Sequence, residues 1–132
     1  MMKKMVMLMM MTGLLFAVDW VRDFDTAMQS AAKTDKTVMV MVVSQTCRWC
    51  KKMKHRTLED ERVERKLKQF IAVQVLRDDA SVMKRLPRVH GVPTIFFVRP
   101  GGSVVQEVVG YFNVEDFLSY IADVEKKSAT LK

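Results

Sequence analysis

The fifteen residues Thr37–Lys51, TVMVMVVSQTCRWCK, decide how this chain folds. Thr37–Val43 is a short apolar run rich in β-branched side chains and without polar alternation, which suits a strand covered on both faces. Ser44, Gln45 and Thr46 follow, then Cys47-Arg48-Trp49-Cys50, and from Lys51 the composition turns helical. The Cys-x-x-Cys pair thus stands at a predicted strand-to-helix junction. Unpaired N–H groups and the positive dipole end of a helix start stabilise a thiolate at the first cysteine. Arg48, Lys51 and Lys52 add positive charge that acts in the same direction. Cys47 is expected to be the exposed nucleophile. Cys50, one turn further in, is placed to resolve a mixed disulfide rather than to start one.

Working outward, Trp20, Phe24, Ala27, Met28 and Ala31 recur three or four apart and predict an amphipathic helix over Asp19–Lys33. Lys51–Gln69 is helical in composition. Within it Thr57-Leu58-Glu59-Asp60 resembles an N-cap with an acid three residues on, which predicts a break at Thr57. Phe70–Leu76 is a second buried-type strand. Asp78 or Asp79 caps a short helix through Leu86, and Pro87 stops it. Thr94–Val98 is a third strand, Pro100–Ser103 a turn, and Val104–Val109 a fourth strand. Asn113 caps a last helix from Val114 to about Lys127, with Phe117, Leu118, Ile121 and Val124 on one face. Strands alternating with helices imply parallel pairing by right-handed crossovers, and the hairpin adds an antiparallel edge. The expected class is α/β, a central mixed sheet with helices on both faces. Trp20, Phe24, Phe96, Phe97, Phe117 and Tyr120 read as core.

The 132 residues make one domain, with Gly at 5, Pro at 3 and 49% hydrophobic positions, which excludes disordered and collagen-like chains. The net charge of +7 arises from 22 basic and 15 acidic residues. Most of them alternate in sign at helical spacing, as in Glu59–Lys68, so a solvated mixed-sign surface is expected and no nucleic-acid partner. Seven of the twelve methionines lie in Met1–Met11. Lys3 and Lys4 precede an uncharged run, Met5–Val18, that is shorter than the about twenty residues a bilayer span needs. The run fits the hydrophobic region of a secretory signal peptide ending at Ala17, or an N-terminal anchor if it is not cleaved. The expected organisation is signal or anchor 1–17, domain 19–127 and tail 128–132. Location is then periplasmic or otherwise exported, and membrane-anchored in the uncleaved case.

A second motif, Gly91-Val92-Pro93-Thr94, directly precedes a predicted strand. With Cys47-x-x-Cys50-Lys51, Thr57-Leu58-Glu59-Asp60 and Gly110-Tyr111, it makes the chain resemble the thioredoxin superfamily over nearly all of Asp19–Lys127. Within that superfamily it is most similar to extracytoplasmic thioredoxin-like reductases and to the C-terminal periplasmic domain of the DsbD transporters. The resemblance implies the thioredoxin fold and a cis Val92–Pro93 bond facing the cysteines. It also implies that backbone at Val92 pairs with a substrate chain as an added strand. Arg48, Trp49, Val92 and Pro93 are the expected substrate-binding residues. Three positions depart from the family pattern. Thr46 stands where Trp is usual, Met41 where cytoplasmic thioredoxins bury an Asp, and Gln74 where a Lys pairs with that Asp.

Other uses of the cysteines are weaker fits. A purely structural bridge would close only a very short loop and constrain little entropy. A metal site needs more ligands, and His55 and His90 are the only histidines. Covalent haem attachment needs His where Lys51 stands. The resemblance therefore implies an exported thiol–disulfide oxidoreductase that reduces protein disulfides, without metal and with no cofactor beyond the Cys47–Cys50 pair. Its expected partners are protein disulfides and a membrane thiol-reductant donor, and the chain is expected to be a monomer. An oxidase or isomerase, or a metal-binding or chaperone module on the same fold, are the alternatives.

Overall fold

The computed structural model describes residues 18–131. In chain order its elements are β1 (Trp20–Val21), α1 (Phe24–Thr34), β2 (Val38–Val43), α2 (Arg48–Lys52) and a π-helical turn, Met53–Leu58. Then come α3 (Glu61–Leu67), β3 (Ile71–Leu76), α4 (Ala80–Met83), β4 (Thr94–Val98), β5 (Val104–Val109) and α5 (Val114–Thr130). The expected signal or anchor, residues 1–17, lies outside the described residues.

The five strands form one mixed sheet in the order β1-β3-β2-β4-β5. Pairing is parallel between β1 and β3 and between β2 and β3, and antiparallel between β2 and β4 and between β4 and β5. β2 occupies the centre, and all six of its residues are buried. Its side chains alternate between two cores, as a pleated strand requires. Met39, Met41 and Val43 face a cluster that includes Met53, Leu58, Val63, Phe97, Phe117 and Ile121, so α2, α3 and α5 cover that face. Val38, Val40 and Val42 face Phe24, Ala27, Ala31, Phe96 and Leu86, so α1 and the segment after α4 cover the other. This is the expected α/β arrangement.

Four local expectations are corrected. Trp20 lies in a strand rather than a helix: it pairs with Ala72 and packs, partly buried, on the face that α2, α3 and α5 cover. The helix starts after Asp23, whose carboxylate accepts the Thr26 N–H at 2.7 Å. The long second helix does break, but Asp60, not Thr57, caps α3 by accepting the Arg62 N–H at 2.9 Å. Thr57 is instead fully buried, and its hydroxyl donates to the Phe112 carbonyl at 2.6 Å. The short helix capped by Asp79 ends at Met83, well before Leu86. Finally, α5 runs on to Thr130, so most of the expected tail is helical. Among the described residues no helix is long and apolar enough to cross a membrane.

Candidate active site

Where β2 leaves the sheet, the chain crosses residues 44–46 and enters α2 with Cys47 as its N-cap. A cap residue holds an extended backbone while its side chain accepts a hydrogen bond from the first turn. Cys47 does this with sulfur: the Cys50 N–H points at Cys47 Sγ at 3.1 Å. The two cysteines form a disulfide with their Cα atoms 5.2 Å apart. Both belong to the apolar cluster beneath α2, Cys47 keeping 8% of its surface exposed and Cys50 4%. The ordering is as expected, but Cys47 is far less open than an exposed nucleophile. Its contacts in the cluster cover all but a small part of it.

Met41 is fully buried in that same cluster and stands in register with Gln74 across the parallel β2–β3 pair. The two departures from the family pattern are thus neighbours in space. An apolar thioether and an exposed amide occupy a pair of positions where an acid and an amine would exchange protons.

Trp49 projects outward, half exposed, with its ring centroid 5.7 Å from that of Tyr111. Lys52 Nζ lies 4.4 Å above the Trp49 ring, close enough for a cation–π contact. Trp49, Val92, Pro93, Gly110 and Tyr111 line a shallow, largely apolar groove of about 370 Å³. The Val92–Pro93 bond is cis. The Pro93 carbonyl accepts the Gly110 N–H at 2.7 Å, and the Thr94 hydroxyl donates to the Gly91 carbonyl at 2.6 Å. Gly110 has φ +92°, a conformation only glycine adopts without strain. Val92 packs against both cores, while among the described residues its own peptide groups make no hydrogen bond. They are open to pairing with another chain.

Of the four expected substrate-binding residues, the fold brings Trp49, Val92 and Pro93 into one groove. Arg48 points elsewhere, into a neighbouring depression with Lys51 and Arg56. Tyr111 completes the groove and was not singled out as a site residue. The signal for it was present, because Gly110-Tyr111 belongs to the motif set and an aromatic after a turn glycine needs a partner. Of the two histidines, His55 has its Nδ1 3.1 Å from Glu59 Oε1, and His90 is exposed. Among the described residues no group of three or more His, Cys, Asp or Glu is gathered as metal ligands would be.

Residues 24–125 match the model of a thioredoxin-like domain. The chain is 31% identical over 104 residues to a thiol:disulfide interchange protein DsbD from Ralstonia nicotianae, covering 75% of this chain and 17% of that protein. It is also 31% identical over 98 residues to the DsbD of Yersinia enterocolitica, again spanning only 17% of it. Among solved structures, a thioredoxin from Thermus thermophilus superposes with a TM-score of 0.71 at 26% identity, covering 85% of this chain and 90% of that one. The reduced C-terminal domain of DsbD from Neisseria meningitidis superposes with a TM-score of 0.60 at 21% identity, covering 74% and 90%.

Proposed function

The chain belongs to the thioredoxin-like family, and from that premise we propose that it is an exported thiol–disulfide oxidoreductase that reduces protein disulfides. The observation that carries this reading is the Cys47–Cys50 disulfide at the mouth of α2, beside a groove with unpaired backbone at Val92. In the reduced protein the Cys47 thiolate attacks one sulfur of a substrate disulfide, and the other sulfur leaves as a thiolate. A mixed disulfide joins Cys47 to the substrate. Cys50, deprotonated as it attacks, displaces the second substrate sulfur from Cys47 and closes the bridge. Two electrons pass to the substrate, whose two thiolates take up protons, and the oxidised pair awaits a thiol donor. The Cys50 N–H that points at Cys47 Sγ stabilises negative charge there, which favours Cys47 as the attacking thiolate.

The groove supports the choice of substrate. An extended chain laid against Val92 adds a strand through main-chain hydrogen bonds, and the Trp49 and Tyr111 rings cover its side chains. The DsbD relatives are thiol:disulfide interchange proteins, which supports thiol–disulfide exchange with a protein partner. The reducing direction and a membrane-side electron donor follow from the motif resemblance to extracytoplasmic thioredoxin-like reductases. The oxidising direction draws on a different observation, the positive charge around Cys47, because whatever stabilises its thiolate also stabilises the reduced pair.

Two variants test the roles. Cys47→Ser is expected to abolish reduction of a model protein disulfide, whereas Cys50→Ser is expected to accumulate a mixed disulfide through Cys47, seen by mass spectrometry. Full turnover by the Cys47→Ser protein would overturn the mechanism.

A further inference from the structure

The nine residues Arg48–Arg56, RWCKKMKHR, hold five Lys or Arg, one His and no acid. The fold gathers most of them at one place. Arg48, Lys51, Lys52, His55 and Arg56, with Gln45 and Thr46, line a surface depression of about 510 Å³. Elsewhere on the molecule several basic side chains meet carboxylates, such as Arg62 with Glu115, Arg65 with Glu61, Lys66 with Glu125 and Arg99 with Asp35. Around this depression they do not. Among the described residues no carboxylate lies within ion-pair distance of Arg48, Lys51, Lys52 or Arg56, and only His55 has one, Glu59. Like charges facing one depression repel, and an anionic group seated among them relieves that repulsion.

We infer that this depression docks an acidic segment of the disulfide-bearing partner, a stretch with Asp and Glu side chains clustered beside the disulfide. The inference rests on the thiol–disulfide reading and adds the chemistry of the partner to it. Location argues for a polypeptide rather than a nucleic acid or a lipid surface. Thr46 and Arg48 flank Cys47 directly, so whatever fills the depression is held while Cys47 Sγ reacts. The depression and the apolar groove also meet at one turn, Arg48 lining the first and Trp49 the second. A substrate chain seated in the groove thereby presents its flanking residues to the basic side chains. The groove takes any extended chain, whereas the depression selects by charge.

The test uses the reduced full chain and three synthetic peptides with one common disulfide, flanked by Glu, by Ser or by Lys. Each reduction rate is divided by the rate with dithiothreitol, which removes differences in intrinsic reactivity. At low salt the Glu-flanked peptide is expected to react about 10-fold or more faster than the Lys-flanked one. That preference is expected to collapse near 0.5 M salt, where the screening length falls to a few ångströms. Lys51→Glu combined with Arg56→Glu is expected to abolish or invert it. Lys33→Glu, on the exposed side of α1, is expected to leave it intact. Equal normalised rates for all three peptides would overturn the inference and leave the oxidoreductase reading standing. Reduction of none of them would overturn the reading, and the inference with it. Equal rates together with salt-sensitive binding to phosphatidylglycerol vesicles would reassign the charge to a membrane surface and overturn the inference too.

Discussion

Cys47 serves two purposes with one sulfur, capping α2 by accepting the Cys50 N–H and holding the redox bridge to Cys50. These roles were legible because the Cys-x-x-Cys spacing follows directly on a buried strand. The degree of burial was not, since a sequence shows which cysteine comes first but not how tightly the surrounding cluster closes over it. Glu64 was wholly hidden from sequence reasoning, because in α3 it looks like one more surface acid. The structure buries it to 5% exposure. Burial, helped by the Glu59 carboxylate and opposed by Lys68, pushes its carboxyl above the ordinary glutamate range. The folded state therefore holds this proton more firmly than the unfolded chain. That contribution to stability is complete below the ordinary glutamate value, and it is lost as pH rises through the raised folded value. Glu64→Gln, neutral at every pH, is expected to raise the melting temperature at about pH 7. The advantage should shrink toward about pH 4, where Glu64 itself is protonated. A Glu64→Gln protein that melts lower than the parent at neutral pH would contradict this.

At the scale of elements, the strands were the most legible parts. Thr94–Val98 and Val104–Val109 match their expected limits, since β-branched runs bounded by a Pro-Gly-Gly turn leave little choice. β1 was missed because Trp20 repeats with Phe24 and Ala27 at helical spacing, and only its pairing with β3 makes it a strand. The π-helical turn Met53–Leu58 was missed as well, since a widened turn has no periodicity of its own. Its end is fixed by a tertiary bond, the Thr57 hydroxyl donating to the Phe112 carbonyl across to the start of α5. Thr57→Val keeps the shape and removes the donor, leaving that carbonyl without its partner. The expected cost is about 1–2 kcal/mol, read as a lower urea midpoint with an unchanged slope. An unchanged midpoint would show that the turn does not depend on this bond.

Over the whole molecule, the sheet order carries the function. Putting β2 at the centre buries the strand that delivers Cys47, while β4, antiparallel beside it, brings Val92 and Pro93 to the same end. Mixed strand direction was foreseeable from alternating helices and strands with one hairpin. The distribution of charge was not foreseen: the +7 chain reads as mixed in sign, yet Arg48, Lys51, Lys52 and Arg56 share one depression beside Cys47 with no carboxylate at ion-pair distance among the described residues. Their effect on the redox equilibrium is limited, because exposed charges are screened by water and salt. With Met41 buried and Gln74 exposed at these two positions, no buried acid–amine pair assists Cys50. The central claim is that Cys47 and Cys50 form a working dithiol poised to reduce, and the equilibrium reduction potential of the pair tests it most directly. Measured against glutathione and dithiothreitol buffers, it is expected near the ~ −270 mV of thioredoxin. A value close to the ~ −120 mV of a strong dithiol oxidant would contradict the reducing direction, and one well below ~ −300 mV would mark the bridge as structural.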